Sequence, residues 1–454
     1  MARIGRLVAG QGARTAGGRV ADRARSPEAR RRAESARYAK VAEEVVEQLG
    51  QMKGAAMKFG QVLSAVDFPN LEPEDRERLK GKLSALRDQA PRVSFARMEK
   101  LMAAEWGQKP GRVLAELEPE AAAAASIGQV YRGVTREGRE VAIKVQYPGI
   151  AEAVESDLRA ASLLLPLLRR MAPGLDAGAV LGELRERIAE ELDYELEAQH
   201  QRRLARLWRG HPHVLVPGVD TTLSTRRVLV TDWVEAQNFR VMKTLPDPER
   251  DRLGEILYRF FFATAAEHGL ALGDPHPGNV LRAQDGRLVV LDFGLLRELP
   301  AGYLAREADV HRAITARDAE GTERALRALG YLHGPVDAEL LLQHMRLSGH
   351  WLWDAKQPLR LDGDYAAGLG RRIMAQGRPV LDMLRGFDVP PEALLLRRMD
   401  NLVFTVLCDL RAAADWGALA GELRAGLPAT TPLGLEHAAW RERRPVSGAR
   451  ARAA

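Results

Sequence analysis

Cysteine is almost missing. Cys408 is the single one in 454 residues, so neither an intrachain disulfide nor a cysteine-built metal site can form. Long apolar runs are missing too. A bilayer-spanning helix needs about 20 consecutive apolar residues. The richest stretch, Leu163 to Leu168, is interrupted by Pro166 and followed by Arg169 and Arg170. The N-terminus lacks the charged-then-apolar order of a secretory signal. These absences together fit a reducing, cytoplasmic setting. Aromatic residues are sparse, at 6%, and the basic ends hold two, Tyr38 and Trp440. That argues against base stacking and specific nucleic-acid binding.

What is present is an ordinary globular composition, 46% hydrophobic and 28% charged, with length enough for two or three domains. The net charge of +6 is unevenly placed. Residues 1–40 carry a net +8 and residues 439–454 a net +4, which leaves −6 for everything between. Basic ends on an acidic body suit peripheral contact with anionic lipid at the inner face of a membrane.

The chemistry concentrates between Gly273 and Gly294. Asp274 and Asn279 are five positions apart, the Asp-x-x-x-x-Asn spacing of a kinase catalytic loop. Asp292-Phe293-Gly294 follows thirteen residues after Asn279, at the end of an apolar run. Between them the pattern predicts a hairpin: Val280 to Ala283, a turn at Gln284-Asp285-Gly286, and Leu288 to Leu291. An Asn and an Asp at neighbouring strand ends are what magnesium ions bridging nucleotide phosphates require. Upstream, Val141-Ala142-Ile143-Lys144 reads as a strand whose lysine meets the α- and β-phosphates of ATP. The preceding hairpin carries Ala121, Ala122, Ala123, Ala124, Ala125 and Ser126 where a kinase has glycines. Alanine lets the backbone approach a ligand but closes the positive-φ region, so this loop should be stiffer. A helix over 178–207 carries Glu191, Asp193 and Glu197; Glu197 is the expected partner of Lys144. Strand-like runs end at Thr231-Asp232-Trp233-Val234, the place of a hinge where Asp232 and Val234 would meet an adenine edge.

Apolar residues at steps of three and four from Val41 to Leu63 predict an N-terminal helix. Lys58 and Gln61, spaced i,i+3, project from one side of it. Residues 71–118 read as two or three short helices. After Gly294 the chain passes into helices over 304–316, 318–329, 336–351, 365–376, 391–410 and 414–425. No Ala-Pro-Glu and no long activation segment appear, which argues against a protein substrate.

These motifs, in this order, make the chain resemble the UbiB/AarF (ADCK-type) atypical kinases linked to isoprenoid quinone (coenzyme Q) biosynthesis. The residues concerned are Lys58-Phe59-Gly60-Gln61, Ala121 to Ser126, Val141 to Lys144, Glu191-Leu192-Asp193, Asp274 to Asn279 and Asp292-Phe293-Gly294. The resemblance implies an α+β, bilobal protein-kinase-like fold. It has a small β-sheet N-lobe with added N-terminal helices and an all-helical C-lobe. The corresponding division is a basic, disordered tail over 1–35 and a helical extension over 36–118. An N-lobe with a helical insertion spans 119–235, a helical C-lobe 236–430, and a second basic tail 431–454. It further implies ATP or ADP with Mg²⁺, ATPase activity, and a gating helix whose Lys58 meets Glu191 or Asp193. In that scheme Lys144 and Glu197 hold the nucleotide, Asn279 and Asp292 the metal, and Asp274 the attacking group. A lipid or quinone-intermediate ligand and a homodimer are further partners it suggests. A small-molecule phosphotransferase and a nucleotide-binding pseudokinase scaffold remain open as alternatives.

Overall fold

The computed structural model describes residues 93–162 except 126, residues 189–444, and isolated positions elsewhere. They fall into two compact units. The first comprises residues up to Ala198 together with Val219–Trp233; the second comprises Gln199–Gly218 and the chain from Val234 onward.

The first unit is built on a five-stranded sheet. It contains β1 (Leu114–Leu117), β2 (Ala123–Ala124), β3 (Gly128–Thr135), β4 (Glu140–Gln146) and β5 (Val228–Asp232). Its spatial order is β1-β3-β4-β5, with β2 also paired to β3. Alternation sets the faces: Val141, Ile143 and Val145 are fully buried, which sends Ala142 and Lys144 to the opposite side of β4. Helix α1 (Phe95–Trp106) buries Met98 and Met102 completely and sets Phe95 edge-on to Tyr131, ring centres 5.6 Å apart. Gly128 is obligatory here. A Cβ on it would lie 2.2 Å from the Val145 carbonyl oxygen, on the strand that carries Lys144.

Leu114–Leu117 corrects the helical reading of 71–118. Its sequence, Leu-Ala-Glu-Leu, favours helix locally. It becomes a strand because β3 offers an edge, with Leu117 opposite Gly133. The helix read over 178–207 is also corrected: it is broken at Leu192–Asp193, and α2 (Tyr194–Leu207) begins afresh. Asp193 caps it, its Oδ1 accepting from the amides of Glu195 and Leu196, both at 3.1 Å.

The second unit is arranged around α3 (Asp247–His268), which is buried nearly all round rather than along one stripe. Arg259 on it is 3% exposed and donates to Glu255 at 2.8 Å and to both Glu422 oxygens at 2.6 and 2.9 Å. Past α3 come β6 (Leu270–Leu272), then the hairpin of β7 (Val280–Ala283) and β8 (Leu288–Val290), then β9 (Leu296–Glu298). The hairpin register sets Val290 against Val280, and β9 pairs antiparallel with β6. The sequence pattern predicts the hairpin of β7 and β8; an all-helical C-lobe leaves out β6 and β9. Helices α4 (Tyr303–Thr315) and α5 (Pro391–Leu410) follow; α5 buries Leu396, Met399, Val403, Val406 and Leu407.

The range read as a basic C-terminal tail contains a docked helix, α6 (Pro432–Glu442). Trp440 on it stacks on Trp208, centres 5.7 Å apart and planes 15° apart. His437 completes a buried chain of bonds. The Nδ1 of His211 accepts from the amides of His213 and Val214, so its Nε2–H donates to His437 Nδ1 at 3.0 Å. His437 Nε2 then donates to Glu267 at 2.9 Å. Burial, then the neighbouring His437, His213, Arg259 and Arg444, pushes the His211 pKa down from 6.5 to about 2. The unfolded chain therefore binds the proton first as pH falls. Stability is whole above pH 6.5 and declines below it, by at most about 1.4 kcal/mol per pH unit for this one group. Urea midpoints measured from pH 7.5 to 5 should fall for the native chain, and more shallowly for His211→Asn. Equal slopes would refute the neutral buried imidazole.

Candidate functional site

In the first unit the candidate site residues that meet are Lys144 and Glu197. Lys144 Nζ donates to Glu197 Oε1 at 2.8 Å and Oε2 at 3.0 Å, and lies 4.9 Å from the centre of the Tyr194 ring. The Glu197 side chain is 4% exposed and that of Lys144 22%. A buried carboxylate this close neutralises the ammonium and fixes its direction. The Ala-rich stretch is the outer arm of the adjoining hairpin. Ala122 N bonds Val130 O at 2.9 Å and Ala125 N bonds Gly128 O at 2.8 Å, so two of its amides are already committed to β3. Ala122, Ala123 and Ala124 are exposed.

Asp232 ends β5 opposite Val141, and its carboxylate is 3.5 Å from Arg139 in an exposed pair. Any contact of this stretch with an adenine edge would rest on its backbone. Val234 opens the second unit. Glu191 closes a short helical stretch before the break, and Asp193 is the cap described above. Lys58, Gln61 and Ser126 lie outside the described residues.

In the second unit Asn279 and Asp292 meet, and Asp274 is held by a separate contact. Asn279 closes a short 3-10 turn, Pro277–Asn279, whose loop is ordered by His276 Nδ1 accepting from Gly278 N at 3.0 Å. Asn279 O accepts from Leu291 N at 3.0 Å, which draws the two ends of the hairpin together. The Asn279 amide then donates to Asp292 Oδ2 at 3.3 Å, and Asp292 Oδ1 accepts from Gly294 N at 3.0 Å. Asp274 is held differently: Arg398 Nη2 is 3.3 Å from its Oδ1, while Arg398 Nε donates to Gly273 O at 2.7 Å. Gly273 admits this packing because a Cβ there would lie 2.2 Å from Leu395 and 2.4 Å from Leu295.

Two residues here escaped the sequence reading. Arg398 is 124 positions from Asp274, in an Arg397-Arg398 pair where nothing marks one over the other. His200 donates from Nδ1 to the Phe293 carbonyl at 2.9 Å. Its place one turn after Glu197 on α2 could have drawn attention to it.

The donor set suits magnesium. Asp292 and Asn279 supply hard oxygens, and among the described residues no group of three or more His, Cys, Asp or Glu could hold a metal by itself. A cation with one or two protein ligands that takes its remaining oxygens from phosphates and water is the magnesium pattern, not the zinc one.

A five-stranded sheet with a lysine–glutamate pair, and a helical unit with an Asp-x-x-x-x-Asn loop and an Asp-Phe-Gly hairpin, define a kinase-like protein. The chain belongs to the ABC1 atypical kinase-like family, whose domain model matches residues 85–326. Among its relatives is the mitochondrial atypical kinase COQ8B of Rattus norvegicus. That protein is 30% identical over 377 residues, covering 82% of this chain and 69% of the relative. A chloroplastic aarF domain-containing protein kinase of Arabidopsis thaliana, At1g71810, is 35% identical over 57% of this chain and 36% of its own length. The chain spans less than half the length of this and other relatives, such as 46% of COQ8B from Danio rerio. Among solved structures, the complex of Rv3197 with erythromycin from Mycobacterium tuberculosis matches with a TM-score of 0.65 at 28% identity. It covers 85% of this chain and 96% of that one. Among the described residues no helix is long and apolar enough to cross a membrane.

Proposed function

We propose that the protein is an atypical kinase-like ATPase that binds ATP or ADP with Mg²⁺. It would act in, or regulate, isoprenoid quinone or lipid metabolism rather than phosphorylate proteins. The observation that carries the nucleotide half is the Asn279 amide 3.3 Å from the Asp292 carboxylate, both on the loop-hairpin that begins at Asp274. Bound there, Mg²⁺ would neutralise charge on the phosphates. Asp292 and Asn279 hold it; Lys144, aimed by Glu197, meets the α- and β-phosphates. Asp274, kept in place by Arg398, orients a water or a small hydroxyl toward the terminal phosphorus. The lipid half follows from the family resemblance, and the basic ends of the chain support a peripheral membrane contact.

The test is thermal denaturation with ADP, with and without Mg²⁺, together with phosphate release from ATP. A ligand that binds only the folded state stabilises it by about 2.7 kcal/mol at a hundred times its dissociation constant. A magnesium-dependent rise in melting temperature and steady phosphate release are expected. Binding without turnover would leave the pseudokinase scaffold; no binding would refute the site. A lipid profile of a deletion strain tests the pathway, through the size of its quinone pool.

A further inference from the structure

We propose that a cavity in the second unit, walled by α3, α4 and α6, is a binding site for a neutral amphiphile. The ligand would be a hydrocarbon body carrying a carbonyl or ether oxygen. The cavity measures about 730 Å³, within the range of small-molecule sites. Phe262, Ile314, Met345 and Leu396 contribute to an apolar lining. Leu427 and Leu435, also in the lining, are 60% and 58% exposed, which gives the site an apolar mouth.

Three lining residues carry side-chain nitrogens that the described residues leave unpartnered. His311 Nδ1, Trp353 Nε1 and Arg397 Nε are buried with no hydrogen-bond partner among the described residues. His311 is 8% exposed, and its ring centre lies 5.6 Å from that of Trp353. The tryptophan and arginine atoms can only donate. A buried donor left unmet costs free energy, and an acceptor oxygen delivered by a ligand removes that cost. Burial, with Arg424 and Arg312 nearby, pushes the His311 pKa down to about 4, so its imidazole is neutral at pH 7 and can also donate.

Charge argues against an anion. The charged lining residues already have partners: Glu307 with Arg397 at 2.5 Å, Glu422 with Arg259 at 2.6 Å, Glu267 with Arg441 at 2.9 Å, and Arg424 with Asp400 at 2.9 Å. Among the described residues that line the cavity, no unbalanced positive group is left to compensate a carboxylate or phosphate carried into the interior. A ketone, ester or quinone oxygen needs no such compensation. The site lies wholly within one unit and stands whether or not nucleotide is turned over.

Isothermal titration calorimetry of the full chain with 2-nonanone, nonane and nonanoate tests this. The ketone should bind about fivefold to tenfold tighter than the hydrocarbon, the margin of one added hydrogen bond, and the anion weakest. Trp353→Phe keeps the ring and removes the donor; it should cost the ketone that same margin and leave nonane unchanged. Leu435→Trp, at an exposed position, should block the mouth and weaken both neutral probes. Equal affinity for all three, or ketone binding indifferent to both substitutions, would overturn the proposal. So would no binding, which would mean that the cavity holds only water.

Discussion

Asp292→Asn should lower phosphate release by a factor on the order of 10² to 10³, the cost of losing one fixed charge aimed at the transition state. The chain should still fold as before. Asp292 Oδ1 accepts from Gly294 N at 3.0 Å, and an amide oxygen can do the same. The contact with the Asn279 amide at 3.3 Å survives if that amide turns over to present its oxygen. A loss of stability beyond about 1.5 kcal/mol, one ordinary hydrogen bond, is therefore not expected. The magnesium-dependent part of the thermal stabilisation by ADP should shrink with the turnover. A variant that loses its fold, or one that releases phosphate like the native chain, would remove Asp292 from the metal site. Asn279→Asp makes the complementary case. It sets two carboxylates side by side, and a bound cation relieves their repulsion. Its stability should depend on added magnesium more steeply than that of the native chain.

Much of this site can be read in the sequence because its parts are local. Asn279 and Asp292 flank a hairpin whose apolar strands and Asp-Gly turn mark it, so their juxtaposition follows from thirteen residues of pattern. Lys144 is marked by its strand, and the face it takes by period two. Glu197 was one of several acids on a helix, and it pairs with Lys144 at 2.8 Å across 53 positions. The rest depends on contacts that no local pattern encodes. Arg398 reaches Asp274, and Arg259 reaches Glu422; these are long-range meetings of charged side chains usually found in water. Leu114–Leu117 is strand only because an edge was open to it, a tertiary override of helical propensity. The C-terminal helix hid in an arginine-rich stretch because its burial rests largely on His437 and Trp440.

The pair Lys144–Glu197 offers a cycle that separates stability from chemistry. Lys144→Met takes from the Glu197 carboxylate, 4% exposed, the ammonium it meets at 2.8 Å, and should cost about 3 kcal/mol, as a broken buried pair does. Packing contributes little to that loss, because methionine can keep a sulfur–aromatic contact with the Tyr194 ring that now lies under Nζ. Glu197→Gln is milder: the amide oxygen still accepts from Lys144, and the lysine, 22% exposed, keeps some access to water. The double variant pairs a neutral thioether with a neutral amide. It should recover most of the stability lost by Lys144→Met, giving a coupling within the 0.5–3 kcal/mol that touching residues show. Turnover should not recover with it, since neither variant side chain can stand against phosphate charge, and the affinity for ADP should stay low. Urea midpoints and phosphate release on the same four proteins give both readouts. If the double variant stays as unstable as Lys144→Met, the loss lies in packing and not in the broken ion pair. If it regains turnover, Lys144 is not the residue that meets the nucleotide.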